Sequence, residues 1–242
     1  MGRPITLFFI GLAIFAVFAG SRLKIHSQDN HFVYLADAFL KGQLELDRKP
    51  HHGNDWASYT VLHLKGKSAE KYGKTVQGFF TRRPKKPNEF RTVGRQTLTI
   101  PHADRGASSS RYFVSFPPFP AVLMMPAVAL VGFGTNDVVF NILFAAINGV
   151  LLYFLLGLLR SRGYSTRSEK GDLWLVVLFA LGSAHIWCSV LGQVWFTALI
   201  VGVTFHLAFL YFAIDARRPL LAGLCLSAAF ASRAPLVFAA IF

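Results

Sequence analysis

Charge is scarce in this chain. Asp, Glu, Lys and Arg make up 15% of its 242 residues. A soluble domain of this length buries an adequate core without apolar runs of roughly 20 residues, and such runs recur here. Cysteine is scarcer still: Cys188 and Cys225 both sit in apolar runs. That excludes a disulfide framework and leaves two small core residues. No internal repeat is evident, which excludes a solenoid array. No nucleic-acid-binding module accompanies the basic residues, so nucleic acid is not an expected partner.

What is present is hydrophobic: 53% of residues, 24 of them Phe, with a mean hydropathy of +0.44. Runs of roughly 20 apolar residues match a hydrocarbon core about 30 Å thick. The expectation is an all-α membrane protein, a polytopic transmembrane helix bundle with a long external first loop. The first run, about Ile5 to Ser21, is long for a signal-peptide core, and Ala16–Gly20 is only a loose cleavage site, so an uncleaved anchor is expected. Later runs are Val138–Leu159, Leu173–Leu191, Val194–Ile214 and Leu220–Phe242. A shorter one, Phe119–Phe133, carries Pro120 and Pro126 and is short for a span.

Orientation is read from Lys and Arg in short loops. Placing Arg3, the Arg160–Lys170 loop and Arg217–Arg218 together in the cytoplasm requires five spans, with Phe119–Phe133 lying in the outer interface. The alternative lets Phe119–Phe133 cross and puts the Arg160–Lys170 loop outside. On the first arrangement residues 1–22 are the first transmembrane helix. Residues 23–135 are then an external loop with juxtamembrane helices at about 30–41 and 118–133, and 136–242 hold four further spans. The last run ends without a polar flank, so a longer natural chain is expected.

The loop from Leu23 to Phe116 holds 16 Lys/Arg and 8 Asp/Glu, net +8. Loops of this length are largely exempt from the positive-inside rule. The dense stretch Lys65 to Arg91, with Arg82-Arg83-Pro84-Lys85-Lys86, reads as a solvated surface or as attraction to anionic headgroups. Thr60–Leu64 and Gln96–Ile100 alternate loosely and admit short strands.

One acidic residue stands out. Asp29, in Ser27-Gln28-Asp29-Asn30-His31-Phe32, follows the first apolar run by a few residues. Phe32, Leu35, Ala36, Phe39 and Leu40 then fall at one-sided helical spacing, with Gly42 as a stop. Asp29 or Asn30 belongs at the N-cap. On spacing alone Asp29 is a cap; a helix N-terminus also favours the ionised carboxylate that a general base requires. Farther on, Pro117-Pro118-Phe119-Pro120 fixes a rigid helix entry. Arg233 is the one charge well inside an apolar run, about midway along its predicted helix. It should face the bundle interior, in a structural or a phosphate-binding role. Asn141 and Asn148, seven apart, read as interhelical glue; His185, His206 and Gln193 receive the same reading.

Together these motifs resemble the GT-C superfamily of polytopic glycosyltransferases, in its protein O-mannosyltransferase and aminoarabinose-transferase branch. Gln28-Asp29-Asn30-His31-Phe32 is similar to that branch's acidic motif after the first span. Ala38-Phe39-Leu40-Lys41-Gly42-Gln43-Leu44 is similar to the end of its juxtamembrane helix, and Ser115 to Ala121 to its proline-proline entry. Ala222-Gly223-Leu224 to Ser232-Arg233-Ala234-Pro235 is similar to a later span. The resemblance implies an N-terminal portion of an enzyme that moves a sugar from a polyprenyl phosphate to an acceptor, with inversion, at the outer face of the plasma (inner) membrane. The partners it implies are the polyprenyl-phosphate-linked sugar and membrane lipid; the acceptor stays open. Asp29 would be the base, and His31, Asp55, Arg105, Arg111 and Arg233 substrate-binding residues.

Asn30 stands where the mannosyltransferases carry a second acid. This weakens a paired-carboxylate arrangement and the metal site of the oligosaccharyltransferase branch; Asp55 offers a second carboxylate from the same loop. His51, His52 and Asp55 mimic a metal cluster but lack a second spaced ligand set, so neither metal nor cofactor is expected. The competing expectations are a non-enzymatic transporter or lipid-binding membrane protein, with Arg233, His185 and His206 lining a path, and an inactive fragment.

Overall fold

The structure, a computed structural model, describes residues 2–48, 55–81 and 87–241. The chain divides into two units, Met1–Gly42 with Phe116–Phe242, and Gln43–Ser115.

The first unit is helical. Helix α1 (Gly2–Ala19) continues into a 3-10 turn at Gly20–Leu23, and α2 (His31–Leu40) follows. After the second unit the chain resumes with α4 (Phe119–Val131), α5 (Asp137–Ser161), α6 (Glu169–Leu181), α7 (Ala184–Leu191), α8 (Val194–Ala213) and α9 (Pro219–Phe230). Among the described residues, three helices are long and apolar enough to cross a membrane: Gly2–Leu23, Asp137–Ser161 and Val194–Ala216. The bent pair α6–α7 makes a fourth if it counts as one span; its axes differ by 52°. The bend falls at Gly182-Ser183, a Gly/Ser break of the kind that kinks helices. Ser183 Oγ donates to the Phe179 carbonyl (2.7 Å) and accepts from the His185 amide (3.1 Å), restarting the helix.

The core of this unit joins α1, α5, α7 and α8 through Phe15, Ala19, Val138, Ile142, Ala145, Val190 and Ile200. Outward faces stay apolar: Phe9, Val17, Trp174 and Trp187 are more than half exposed. Contiguous exposed apolar surface of this kind is what a helix presents to hydrocarbon rather than to water.

The five-span expectation is not met. Leu220–Phe242 does not form one helix: α9 stops at Phe230, and a 3-10 segment (Ala234–Ile241) follows a turn at residues 231–233. Pro235 disfavours the α conformation at Ala234 and cannot donate a backbone bond. Arg233 therefore lies at a helix break, not midway along a helix.

The second unit overturns the all-α expectation. It is built on a five-stranded antiparallel sheet in the order β4-β3-β2-β1-β5. The strands are β1 (Trp56–Leu64), β2 (Thr75–Phe80), β3 (Glu89–Thr92), β4 (Thr97–Thr99) and β5 (Arg105–Val114). Helix α3 (Gly66–Tyr72) lies between β1 and β2 in sequence. Leu62, Leu64, Val76, Phe90 and Ile100 form the core of this unit, with Ala69 and Tyr72 of α3 packed against it. β1 pairs with β2 on one edge and along nearly its whole length with β5 on the other, from Trp56↔Val114 to Leu64↔Arg105. The two strands admitted by the sequence fall within β1 and over β4; the other three were not anticipated. The basic run at residues 82–86 lies outside the described residues, as do His51 and His52.

Candidate functional site

The site is built in the first unit where the chain leaves α1. Asn136, the N-cap of α5, accepts from the amides of Val138 (2.8 Å) and Val139 (3.3 Å), as an Asn cap should. Its amide nitrogen donates to the carbonyls of Arg22 and Leu23, each at 3.0 Å, tying the end of α1 to the start of α5. The next residue, Asp137, is 2% exposed. Its carboxylate accepts from the Ser27 amide (2.8 Å), the Ser27 hydroxyl and the Gln193 amide (2.9 Å). Ser27 Oγ also accepts from the Gln193 amide at 3.1 Å. Three segments distant in sequence are thus locked to one buried carboxylate: the α1–α2 connection, the first turn of α5 and the α7–α8 turn.

That turn has only backbone room. Gly192 has φ +67°, and a Cβ there would sit 2.9 Å from both Asp137 Oδ2 and Val138 Cγ2. Gln193 follows at φ +65°, a conformation rarely adopted by a residue with a side chain.

Two residues beyond the latched Ser27 comes Asp29, 8% exposed. Asn30 holds the N-cap position of α2 without a side-chain cap bond; its amide group instead meets His26 Nδ1 at 3.3 Å. The Val33 amide returns to the Asn30 carbonyl (3.0 Å). Asp29 therefore precedes the cap position by one residue. α2 is enclosed along most of its length, and His31 at its start is fully buried.

The proline motif meets this helix. The Phe116 ring lies 6.1 Å from His31, 6.3 Å from Phe32 and 6.5 Å from Trp195 of α8, each pair close to edge-on. Beyond the prolines, the Phe119 amide donates to the Ala231 carbonyl at 3.0 Å, and the Phe119 ring packs 5.1 Å from Phe205. The entry to α4 is thereby joined to the break after α9 that carries Arg233. Arg233 is half-buried, and among the described residues no carboxylate lies within ion-pair distance of its guanidinium. The Cβ of Arg233 approaches α8 at Gly202, 3.5 Å from where a Cβ would stand.

Deeper in the same unit, polar side chains bind one another. Asn148 Nδ2 lies 3.2 Å from His185 Nε2 and donates to the Ile200 carbonyl (3.2 Å), while Thr204 donates to Asn148 Oδ1 (2.6 Å). Asn141 donates to the Cys188 carbonyl at 3.1 Å. Both asparagines join α5 to its neighbours, which is the glue role read from their spacing.

Asp55, Arg105 and Arg111 belong to the second unit. Arg105 Nη2 donates to Asn88 Oδ1 (2.9 Å) and to the carbonyls of Ile100 (3.0 Å) and Pro87 (3.1 Å), and its guanidinium lies 4.1 Å from the Phe80 ring centroid. The side chain pins the loop before β3 to the residue just past β4. Arg111 pairs with Glu45, whose carboxylate raises the arginine's pKa above its ordinary value. Asp55 takes a left-handed backbone (φ 52°), and its carbonyl accepts from Ser115 Oγ at 3.2 Å. Among the described residues, no group of three or more His, Cys, Asp or Glu is placed to hold a metal ion.

Sequence reasoning missed Asn136 and Asp137. Their cap signature was legible as Asn-Asp immediately before an apolar run, but their partners more than 50 and 100 residues away were not. No protein-family model, curated protein or solved structure matches this chain.

Proposed function

We propose that the chain is a membrane glycosyltransferase of GT-C type, in which Asp29 is the general base. The observation that carries this reading is the enclosed Asp29 just beyond a span-length helix, on a segment fixed by the Asp137 latch and beside the α2–Phe116–Trp195 aromatic cluster. A base must be held against its substrate within about 3 Å, and a segment anchored two residues away restricts where the carboxylate goes. Two of the motifs that carried the resemblance, around Asp29 and around Pro117-Pro118, meet in this cluster.

The reaction is a displacement. The Asp29 carboxylate takes the proton of an acceptor hydroxyl or amine, and the freed lone pair forms a bond to the anomeric carbon. The bond from that carbon to the phosphate oxygen breaks on the opposite face, so configuration inverts. Polyprenyl phosphate departs with the electron pair. Arg233, a cation at a helix break without a carboxylate partner among the described residues, suits the developing phosphate charge. His31 walls the site beside Asp29. The site faces the outer side of the plasma membrane, because the opposite ends of the same helices carry the Arg-rich loops.

The transporter reading has less support: His185 is engaged with Asn148 rather than lining a path. The test is sugar transfer from a radiolabelled polyprenyl-phosphate donor by membranes carrying Asp29→Asn. General-base catalysis contributes about 10²–10⁴-fold, so activity should fall at least about 100-fold with expression unchanged. Transfer at the wild-type rate removes Asp29 as the base.

A further inference from the structure

At the end of the helical unit away from Asp29, residues 160–172, residues 214–218 and Arg3 gather seven Lys/Arg and three Asp/Glu. Every one of the three acids is engaged. Glu169 pairs with Arg3 and accepts from the Tyr153 hydroxyl (2.8 Å). Asp172, fully buried, meets Arg160 (3.4 Å) and Arg167 (3.3 Å). Asp215 meets Arg162 (3.3 Å) and accepts from the Tyr164 hydroxyl (2.7 Å). Four cations remain in surplus.

Three of the cations at this end, Arg160, Arg162 and Arg217, line an open surface cavity of about 440 Å³. Tyr153, Gly157, Arg160, Arg162, Tyr211 and Arg217 line it with Phe154 and Leu158, and among the described residues no carboxylate does. Arg160 and Arg162 touch their acids through Nε, which leaves the outer Nη donors for a second acceptor. Arg217 has no carboxylate partner among the described residues; its guanidinium lies 5.1 Å over the Tyr211 ring. The backbone that presents it is strained. Asp215 (φ 54°) and Ala216 (φ 48°) are consecutive left-handed residues, neither of them glycine. Such strain persists only where surrounding contacts impose it, here the bonds of Asp215 to Tyr164 and Arg162.

We propose that this cavity is a phosphate site occupied by the headgroup of an anionic membrane lipid. Three arginines line a space that also has aromatic and aliphatic lining. The arginines suit a phosphodiester, and Phe154 and Leu158 the glycerol and acyl start of a lipid. The proposal does not depend on the glycosyltransferase reading. It concerns the opposite end of the helices and none of the residues assigned to that reaction.

The experiment is native mass spectrometry of the whole protein extracted from equimolar phosphatidylglycerol and phosphatidylcholine, counting each retained lipid. Wild type should retain phosphatidylglycerol in clear preference. Arg217→Gln should reduce that preference about five-fold, the ratio for one arginine contact with an anionic headgroup. Arg218→Gln, its neighbour outside the cavity, should leave the preference unchanged, and Arg217→Lys should keep most of it. Three results would overturn the proposal: equal retention of both lipids by wild type, equal loss in Arg217→Gln and Arg218→Gln, or displacement of phosphatidylglycerol by millimolar inorganic phosphate. The second would mean diffuse surface charge, and the third a site for the free anion.

Discussion

Both carboxylate oxygens of Asp137 are taken by donors from other segments. A buried carboxylate satisfied by two backbone amides and a hydroxyl organises the chain, whereas the acid proposed for chemistry lies two residues from one of those donors. Removing Asp137 takes the acceptor from the half-buried Ser27 amide and hydroxyl and leaves the Gln193 amide only Ser27 Oγ. Hydrogen bonds to a charged group contribute about 1.5–3 kcal/mol each, so Asp137→Ala should destabilise the helical unit by about 3 kcal/mol or more. Thermal unfolding in detergent, compared with wild type, is the measurement. An unchanged midpoint would mean that the latch carries no stability. The latch also acts through geometry, so transfer activity should fall before the protein unfolds. Asp137 itself touches no expected substrate.

At the scale of elements, the helices were legible and the sheet was not. A span-length apolar run leaves few alternatives, and the ends of α1, α5 and α8 fall within a few residues of the runs read from sequence. The kink in α6–α7 and the break before Arg233 depended on Gly182-Ser183 and Pro235. Both were visible as residues but overridden by the length of the surrounding runs. The strands gave weaker signals. β5 carries Ser108-Ser109-Ser110 at its centre and shows no alternating burial, so the period that identifies a half-buried strand is missing. Its place is set by the long pairing with β1, a contact no local pattern encodes. β2 is placed by close approach: at Gly78 a Cβ would stand 2.0 Å from the Arg91 carbonyl oxygen of β3. Gly78→Ala must therefore push β3 away or break the pairing at Gly78↔Thr92. A cost near the upper end of overpacking, about 3 kcal/mol, is expected. Amide hydrogen exchange over residues 75–92 of the whole protein should quicken by about 100-fold, while exchange in α5 stays as in wild type. Unchanged protection across 75–92 would show that the sheet absorbs the methyl group.

For the molecule as a whole, two sets of contacts define two ends of one helical unit. Arg3 with Glu169, and Arg162 with Asp215, bring the start of α1, the α5–α6 loop and the α8–α9 turn to one end. Ser27, Asp137 and Gln193 bring the end of α1, the start of α5 and the α7–α8 turn to the other. Helices running between these ends carry an apolar exterior, so if the unit crosses a bilayer the two ends face different compartments. The positive-inside rule then assigns the arginine-rich end to the cytoplasm. It thereby assigns Asp29, and the connections on both sides of the sheet unit, to the outer face. Single cysteines test this in a background with Cys188 and Cys225 replaced by Ala. Glu70→Cys lies in α3 of the sheet unit, and Thr166→Cys lies on the exposed α5–α6 loop. A membrane-impermeant maleimide applied to intact cells should label the first and leave the second unlabelled until the membrane is permeabilised. Labelling of Thr166→Cys alone in intact cells would invert the orientation and place Asp29 on the cytoplasmic side, away from a donor presented at the outer face. Labelling of both without permeabilisation would mean that the helical unit does not separate two compartments. In that case the polyprenyl-phosphate reaction proposed for Asp29 would lose its physical basis.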